Sequence, residues 1–302
     1  MYSGMILILL PLFAGYLIPL SSARLRQGVH HAVNGLVYVI LGLLGIGLGE
    51  LDNLAAKLTQ VGWQVGALVV ITGVFNLAGL WLWARWKPIE SVRPSGSSGV
   101  SWRMLTDAGQ TFLAVGIGVV IGLMGWQWGE QAADVAEYAL MLLLLLVGCQ
   151  LRNAGIALRR VIFNRQGLGI ALTVVMTSML AGFLLIPWLE LSWGGVMALV
   201  SGFGWYSLSA VVIGDALGPL WGSAAFLNDM TREIIGLATI PLLMRLKPAL
   251  AIGYGGATAM DFTLPVIQRS GGVAMVPLAM ASGFILSLLG PVLMAFFLGF
   301  AG

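Results

Sequence analysis

Three charged residues lie close together in the apolar segment Gly222–Met244, which is long enough to cross a membrane. Asp229, Arg232 and Glu233 are spaced i, i+3 and i+4, so a helix would place them on one face. A charge at the centre of a bilayer costs about 2.5 to 3.5 kcal/mol on insertion scales, whereas a leucine returns about 0.3 to 0.6. Ionisable residues inside a membrane are rare and mark functional sites, so this face is the first candidate for chemistry.

The charges on this face do not balance. Arg232 can fully compensate one carboxylate, and a structural Asp229–Arg232 pair that fixes the helix to a neighbour competes with a binding role for these two residues. The second carboxylate, Glu233, is then left to titrate or to meet a cation. Asn228, beside the charged face, is either a ligand or an interhelical hydrogen-bonding group.

Other polar residues lie near two glycine-rich stretches and near one span end. Asp261 lies in GYGGATAMDFTLP, where a lone carboxylate either faces a polar cavity or hydrogen-bonds the backbone. Glu50 and Asp52 follow an apolar run, where a solvated boundary is the ordinary explanation of a carboxylate. Hydroxyl groups near the glycines either line a pathway or satisfy broken backbone. They belong to Ser201, Tyr206, Ser207, Ser209, Thr258 and Thr263.

Composition indicates the class of protein that holds these residues. The chain is 59% hydrophobic and 9% charged, and apolar runs of span length recur throughout, which predicts an integral membrane protein. The single cysteine, Cys149, and two adjacent histidines in a short predicted loop, His30 and His31, form no metal-binding or catalytic pattern. No Walker A motif occurs, and membrane topology accounts for the net charge of +3. We therefore predict no cofactor, no metal and no nucleic-acid partner.

Six apolar runs precede residue 190. The first has no basic residue ahead of it, and Arg24 and Arg26 follow it, which predicts an uncleaved span with its N-terminus outside. Each of the other runs is bounded by charged or Gly/Pro-containing segments. The six runs are 5–20, 33–50, 62–85, 108–128, 137–151 and 166–189.

Two Gly-x-Gly segments, at about 199–218 and 249–268, are each followed by one further span. If both segments are re-entrant hairpins, the chain has about eight spans and both termini lie outside. All of the 15 lysines and arginines except Lys57 and Arg232 then lie on the inner side of the membrane. In the alternative of ten full spans, Lys247 moves to the outer face. The positive-inside rule therefore favours an all-α polytopic membrane protein with eight transmembrane helices and two discontinuous hairpin segments.

Similar sequences recur at fixed offsets. Tyr38 and Asn53 are matched 100 residues later by Tyr138 and Asn153, and SGFGWYSLS is matched by IGYGGATAM 51 residues later. An odd number of spans in each copy inverts the second copy in the membrane. The predicted divisions are a three-span repeat at 1–86, a cytoplasmic loop at 87–107, an inverted three-span repeat at 108–190, a hairpin-plus-span repeat at 191–247 and its inverted copy at 248–302.

The two predicted hairpins would approach the middle of the membrane from opposite sides. Non-helical backbone at that depth is tolerated where protein buries it or where it lines a cavity, so such hairpins commonly mark a substrate site. The candidate pathway residues at the two tips are Gly202, Gly204, Tyr206, Ser207, Gly253, Gly255 and Thr258.

The stretches SGFGWYSLS, GSAAFLNDMTRE, GATAMDFTLPVIQRSGG and GELDNLA together resemble the bacterial lysine exporter family, and the similarity covers nearly the whole chain. The resemblance implies an inner-membrane secondary transporter that expels L-lysine and its toxic analogue thialysine. It also implies eight spans, periplasmic N- and C-termini, and coupling of export to a cation gradient. Matched motif to motif, the family's essential carboxylates fall on Asp52 in LDNLA and Glu233 in NDMTRE.

The residues are compatible with that substrate. Lysine carries two ammonium groups and one carboxylate, so a site with surplus carboxylates suits its net positive charge, as it would suit another cationic amino acid. Titration of Glu233 or Asp52 would let a proton and lysine compete for one charge, which is sufficient for antiport. Two alternatives stay open: a cation-coupled amino-acid or organic-ion symporter, and a membrane-embedded lipid-modifying enzyme that uses Asp229 and Glu233 as acid and base.

Overall fold

The computed structural model describes residues 10–11, 13–20, 22–50, 54–89, 102–124, 129–153 and 164–301. Every regular element within these ranges is helical, and several helices are apolar, which confirms an all-α polytopic membrane protein. Among the described residues, four helical stretches are long and apolar enough to cross a membrane. They are Ala23–Gly49, Val61–Trp86, Arg165–Trp188 and Val273–Leu298.

The first part of the described chain contains five long helices. Side-chain caps fix two of their starts: Ser22 accepts a hydrogen bond from the N–H of Leu25, and Asn164 accepts one from the N–H of Gly167. The helices are α1 (Ala23–Gly49), α2 (Leu54–Trp86), α3 (Trp102–Leu123), α4 (Gly129–Asn153) and α5 (Arg165–Leu185), and a 3₁₀ turn at Ile186–Trp188 follows α5.

Helices α1 and α3 touch backbone to backbone. A Cβ atom at Gly118 would lie 2.0 Å from the carbonyl oxygen of Gly42, and one at Gly49 would lie 2.4 Å from that of Val119. Small residues permit such close approach between helices in a membrane, where van der Waals contact replaces the hydrophobic effect as the attraction. The glycines of α1 and α3 therefore determine how closely these two helices pack.

A polar contact joins α2 to α5. Asn76 is fully buried, and its Oδ1 accepts hydrogen bonds from Thr177 Oγ1 at 2.6 Å and from Ser178 Oγ at 3.3 Å. Interhelical hydrogen bonds of this kind contribute about 0.6 kcal/mol on average in membrane proteins. Because α2 and α5 both contact the C-terminal helices, this contact supports the elements that hold the charged face.

The C-terminal part contains two segments that turn back on themselves, each next to a long helix. The elements are α6 (Trp193–Leu199), α7 (Tyr206–Leu217), α8 (Pro219–Leu246), α9 (Pro248–Gly255), a 3₁₀ turn at Gly256–Met260, α10 (Leu264–Gly271), a 3₁₀ turn at Val273–Met275 and α11 (Val276–Leu298).

We call α6 and α7 the first hairpin. A Cβ atom at Gly195, near the start of α6, would lie 3.4 Å from Leu217 Cδ1 at the end of α7. Two helices that continued in one direction would separate these residues by roughly 30 Å, at 1.5 Å per residue. The chain therefore reverses at 200–205 and returns to the end from which α8 begins.

We call α9 and α10 the second hairpin. A Cβ atom at Gly271, the last residue of α10, would lie 2.7 Å from Met244 Sδ near the end of α8. Since α9 begins at Pro248, directly after α8, this hairpin starts and finishes at the C-terminal end of α8. The two hairpins thus enter from opposite ends of that helix.

The sequence predictions differ from the structure at several boundaries. The hairpins span 193–217 and 248–271, somewhat longer than predicted. Helix α3 begins at Trp102, inside the predicted loop 87–107, and His30 and His31 lie within α1, so the predicted short loop at these histidines is wrong. Apolar periodicity underestimates helices whose ends carry polar residues into the interface. The total number of spans and the internal repeats stay predictions.

The two hairpins make a topology prediction. In a Cys149→Ser background, Lys247→Cys and Arg269→Cys should react with an impermeant thiol reagent from the same side of the membrane, and Leu217→Cys from the opposite side. Labelling of intact cells and of inverted vesicles measures this. Reaction of positions 247 and 269 from opposite sides would contradict the second hairpin.

Candidate functional site

The middle of α8 is polar although the protein encloses it. Asp229, Arg232 and Glu233 expose 1%, 7% and 4% of their surface, and the neighbouring Asn228 exposes 5%. Buried charged groups are costly unless they are paired and hydrogen-bonded. The partners of each group therefore define what the site can do.

Asp229 holds the tip of the first hairpin. Its Oδ1 accepts hydrogen bonds from the N–H of Gly204 at 3.1 Å and from Asn228 Nδ2 at 3.2 Å, and its Oδ2 accepts one from Ser209 Oγ at 2.6 Å. A Cβ atom at Gly202 would lie 2.0 Å from Asp229 Oδ2, so glycine is required for this approach. The carboxylate replaces the partners that the backbone loses where the helix is interrupted.

Arg232 holds the tip of the second hairpin. Its Nη2 donates a hydrogen bond to the carbonyl oxygen of Gly253 at 3.2 Å, and its guanidinium lies over the ring of Tyr254, 5.7 Å from the centroid. The hydrogen bonds of Asp229 and Arg232 thus lead to different hairpins. Asp229 and Arg232 are close enough to attract each other, and each also anchors one tip.

The two tips also contact each other. The N–H of Ala257 donates to the carbonyl oxygen of Phe203 at 3.0 Å. Phe203 adopts a φ of 51°, and Gly204 and Gly256 have φ values of 89° and 63°, so the backbone of both tips enters the left-handed region. A Cβ atom at Gly256 would lie 2.1 Å from the oxygen of Phe203. The tips therefore meet backbone to backbone beside the middle of α8.

The middle of α11 completes this junction. A Cβ atom at Gly290 would lie 3.4 Å from the carbonyl oxygen of Ser201, and one at Gly283 would lie 2.6 Å from the backbone nitrogen of Met260. Both tips therefore pack against α11, which also contacts α5.

Glu233 differs from the other charges of α8. Its Oε2 is buried and has no hydrogen-bond partner among the described residues. The negative charges of Asp261 and Asp229 are close enough to repel its own. Asp261 is exposed, although it follows the tip of the second hairpin, and its Oδ1 accepts a hydrogen bond from the N–H of Phe262 at 2.5 Å. The structure therefore brings a buried carboxylate with a vacant oxygen near an accessible one.

The side chains of the remaining tip residues differ in their hydrogen bonding and in their burial. Ser201 Oγ donates to the carbonyl oxygen of Met197 and Thr258 Oγ1 to that of Gly255, so these hydroxyls satisfy interrupted backbone. Thr263 Oγ1 is buried without a hydrogen-bond partner among the described residues. Tyr206 packs edge-on against Phe226, and Ser207 is half-buried.

The structure describes one of the two carboxylates that follow the second apolar run. Glu50 is exposed at the C-terminal end of α1. Asp52 lies outside the described residues.

Sequence reasoning missed two features of the site. The hydrogen bond between Ala257 and Phe203 joins segments far apart in sequence, and the two Gly-x-Gly motifs were its visible signal. Asn76 and its hydroxyl partners, Thr177 and Ser178, were not identified, because a single asparagine within an apolar run gives no indication of its partner.

A set of apolar helices in which two hairpins meet at buried charges defines a polytopic α-helical membrane protein with discontinuous helices. Within this class, the family model of the lysine exporter LysO matches residues 112–298. A protein of Escherichia coli (strain K12) described as lysine exporter LysO is 41% identical over 297 residues, which are 98% of this chain and 99% of the relative. A Haemophilus influenzae protein described as "Putative lysine exporter" is 43% identical over 187 residues, which are 62% of this chain and 96% of that protein. The chain belongs to the lysine exporter family, a family of transporters, as the sequence resemblance indicated.

The contact between the tips can be tested with two alanine substitutions. Gly256→Ala would force a Cβ atom against the oxygen of Phe203, whereas Gly272→Ala adds one in open space at a similar φ of 82°. Both changes carry the left-handed backbone cost, so their difference reports the clash, about 1 to 3 kcal/mol for overpacking. Thermal unfolding of the purified protein should show the larger loss for Gly256→Ala. Equal losses would contradict the tip contact.

Proposed function

We propose that this protein exports L-lysine, and toxic analogues such as thialysine, across the bacterial inner membrane by exchange with protons. Membership of the lysine exporter family and the descriptions of both relatives support lysine as the substrate. The observation that carries the proposal in the structure is the cluster of charges at the junction of the two tips.

The charge of this cluster favours a cation. Asp229 lies near the guanidinium of Arg232, and Glu233 lies near both Asp229 and Asp261. With three carboxylates and one guanidinium, the fully ionised cluster carries an excess of negative charge. Asp229 has its hydrogen bonds filled by the first hairpin. Glu233 and Asp261 are thus the pair available to a cationic substrate, and the net positive charge of lysine complements them.

The same pair supplies a route to proton coupling. Two like charges in a partly enclosed site repel, so the pair is stabilised by binding either a proton or an ammonium group. If the site binds either a proton or lysine, and the protein changes the side to which the site opens only when it is occupied, one cation is exchanged for the other. Moving a positive charge out against a negative-inside potential costs about 2.3 kcal/mol per 100 mV. Exchange of one proton for one lysine is electroneutral and avoids that cost.

The arrangement of hairpins supports access from alternate sides. Each hairpin opens toward a different end of α8, and the charges lie where the tips close against each other. In transporters with discontinuous helices, a fixed central site is exposed by rocking of one part against the other. We propose that the N- and C-termini face the periplasm and that Asp52 contributes a second essential carboxylate along the pathway.

The proposal predicts the effect of removing one proton site. Glu233→Gln keeps the shape of the side chain but cannot titrate, so lysine flux driven by a proton gradient into liposomes should fall to the level of empty liposomes. The protein should still fold, because Glu233 Oε2 makes no hydrogen bond to the part of the chain that the structure describes. Radiolabelled lysine flux per folded molecule is the measurement.

The matched control is Glu190→Gln, which removes the same charge from an exposed position between the 3₁₀ turn and α6. It should leave flux and cellular resistance to thialysine unchanged. Transport of lysine against its gradient at the normal rate by Glu233→Gln would shift the proton role to Asp52 or Asp261. Failure of the unmodified protein to move lysine at all would reject the proposed substrate.

A further inference from the structure

We propose that Arg232 and Asn228 bind the head group of an α-amino acid, with Arg232 receiving the α-carboxylate and Asn228 accepting a hydrogen bond from the α-ammonium. The identity of the amino acid rests on the proposed function. The head-group contacts rest on two side chains of α8 whose hydrogen bonding the protein itself leaves incomplete.

Arg232 is buried with unused donors. It exposes 7% of its surface, and its Nε has no hydrogen-bond partner among the described residues. The hydrogen bond from Nη2 goes to a neutral carbonyl oxygen, that of Gly253. The nearby carboxylate of Asp229 is directed to Gly204 and Ser209. A planar guanidinium with five N–H donors matches a carboxylate in a two-point contact, so a bound carboxylate would complete it.

Asn228 presents the complementary group. It exposes 5% of its surface, and its Oδ1 has no hydrogen-bond partner among the described residues. Its Nδ2 donates to Asp229 Oδ1 at 3.2 Å, and an ionised carboxylate only accepts, which fixes the orientation of the amide. The free oxygen is therefore an acceptor for an N–H donor.

The two unfilled groups lie one helical turn apart. Residues at i and i+4 are neighbours on a helix, with Cβ atoms about 5 to 6 Å apart. Although they are neighbours, Asn228 Oδ1 and Arg232 Nε do not hydrogen-bond each other, since neither atom has a partner in the described ranges. An α-amino acid carries an ammonium and a carboxylate on the same carbon. It would fill both sites at once and leave its side chain to extend toward Glu233, the next residue of the helix.

Both tips approach the side chain of Arg232 closely. A Cβ atom at Gly256 would lie 3.3 Å from Arg232 Nη2, and one at Gly204 would lie 3.9 Å from Arg232 Cδ. The guanidinium therefore lies between the tips. A carboxylate bound there would be held at the junction where the first and second hairpins meet.

Ligand analogues can separate this role from a purely structural one. The probes are L-lysine, L-lysinamide, which lacks the carboxylate, and 6-aminohexanoate, which lacks the α-ammonium. Competition with radiolabelled lysine for the purified full-length protein in liposomes gives the half-saturation concentration of each probe. In the unmodified protein, both analogues should bind at least about tenfold more weakly than lysine, since each leaves one buried group unfilled.

Substituting Arg232 should remove the preference for a carboxylate, and substituting Asn228 should remove the preference for an α-ammonium. Arg232→Gln should weaken lysine at least about tenfold and change L-lysinamide less than about twofold. Asn228→Ala should weaken lysine and L-lysinamide and spare 6-aminohexanoate. Arg245→Gln, on the same helix but exposed, is the matched control and should change nothing. If Arg232→Gln fails to fold, Arg232→Lys is used instead, because it keeps the charge but lacks the planar guanidinium. It should weaken binding of lysine to the same extent and leave binding of L-lysinamide unchanged.

Two results would overturn the inference. One is equal binding of lysine and L-lysinamide by the unmodified protein, and the other is an equal loss of both in the folded Arg232 variant. If lysine does not bind, the same comparison is made with other α-amino acids and their amides. A carboxylate requirement for one of them would keep the head-group site and reject lysine, while binding of none would reject both.

Discussion

The structure depends on the need to satisfy charges buried in the middle of α8. Asp229 and Arg232 are enclosed, and neither completes its hydrogen bonding within the helix. The tips of two hairpins supply the partners. The N–H of Gly204 donates to Asp229, and the carbonyl oxygen of Gly253, which also accepts from the N–H of Gly256, accepts from Arg232. Buried charges and interrupted helices each cost free energy on their own, and here the hydrogen bonds between them satisfy both.

This mutual satisfaction explains why the hairpins meet where they do. Asp229 and Arg232 are one turn apart and bind different tips, so the tips must lie within a few ångströms of each other. The N–H of Ala257 then reaches the carbonyl oxygen of Phe203. Helix α11 closes the junction with Gly290, beside Ser201, and with Gly283, where a Cβ atom would clash with the backbone of Met260. Three buried atoms of α8 have no hydrogen-bond partner within the part of the chain that the structure describes: Asn228 Oδ1, Arg232 Nε and Glu233 Oε2.

Much of this site was predictable from local sequence, and the rest was not. The cost of charges in an apolar segment identified Asp229, Arg232 and Glu233, and the Gly-x-Gly motifs with the distribution of basic residues indicated hairpins. Such local reasoning could not identify the hydrogen-bonding partners of the charged side chains. Spacing at i and i+3 left open whether Asp229 and Arg232 form a structural pair, whereas packing of segments distant in sequence directs their hydrogen bonds to different hairpins. The proximity of Asp261 to Glu233 likewise depends on how the second hairpin folds back.

The central claim is that substrate binds at the junction of the two tips, and protection from thiol labelling tests it most directly. Ser207→Cys and Met260→Cys, each in a Cys149→Ser background, place a thiol on a partly accessible residue of each tip. Val273→Cys, at a position that exposes 71% of its surface beyond the second hairpin, is the control. Saturating lysine should slow labelling at both tips and leave the control unchanged. Unchanged labelling at both tips, in variants that still transport lysine, would contradict the account.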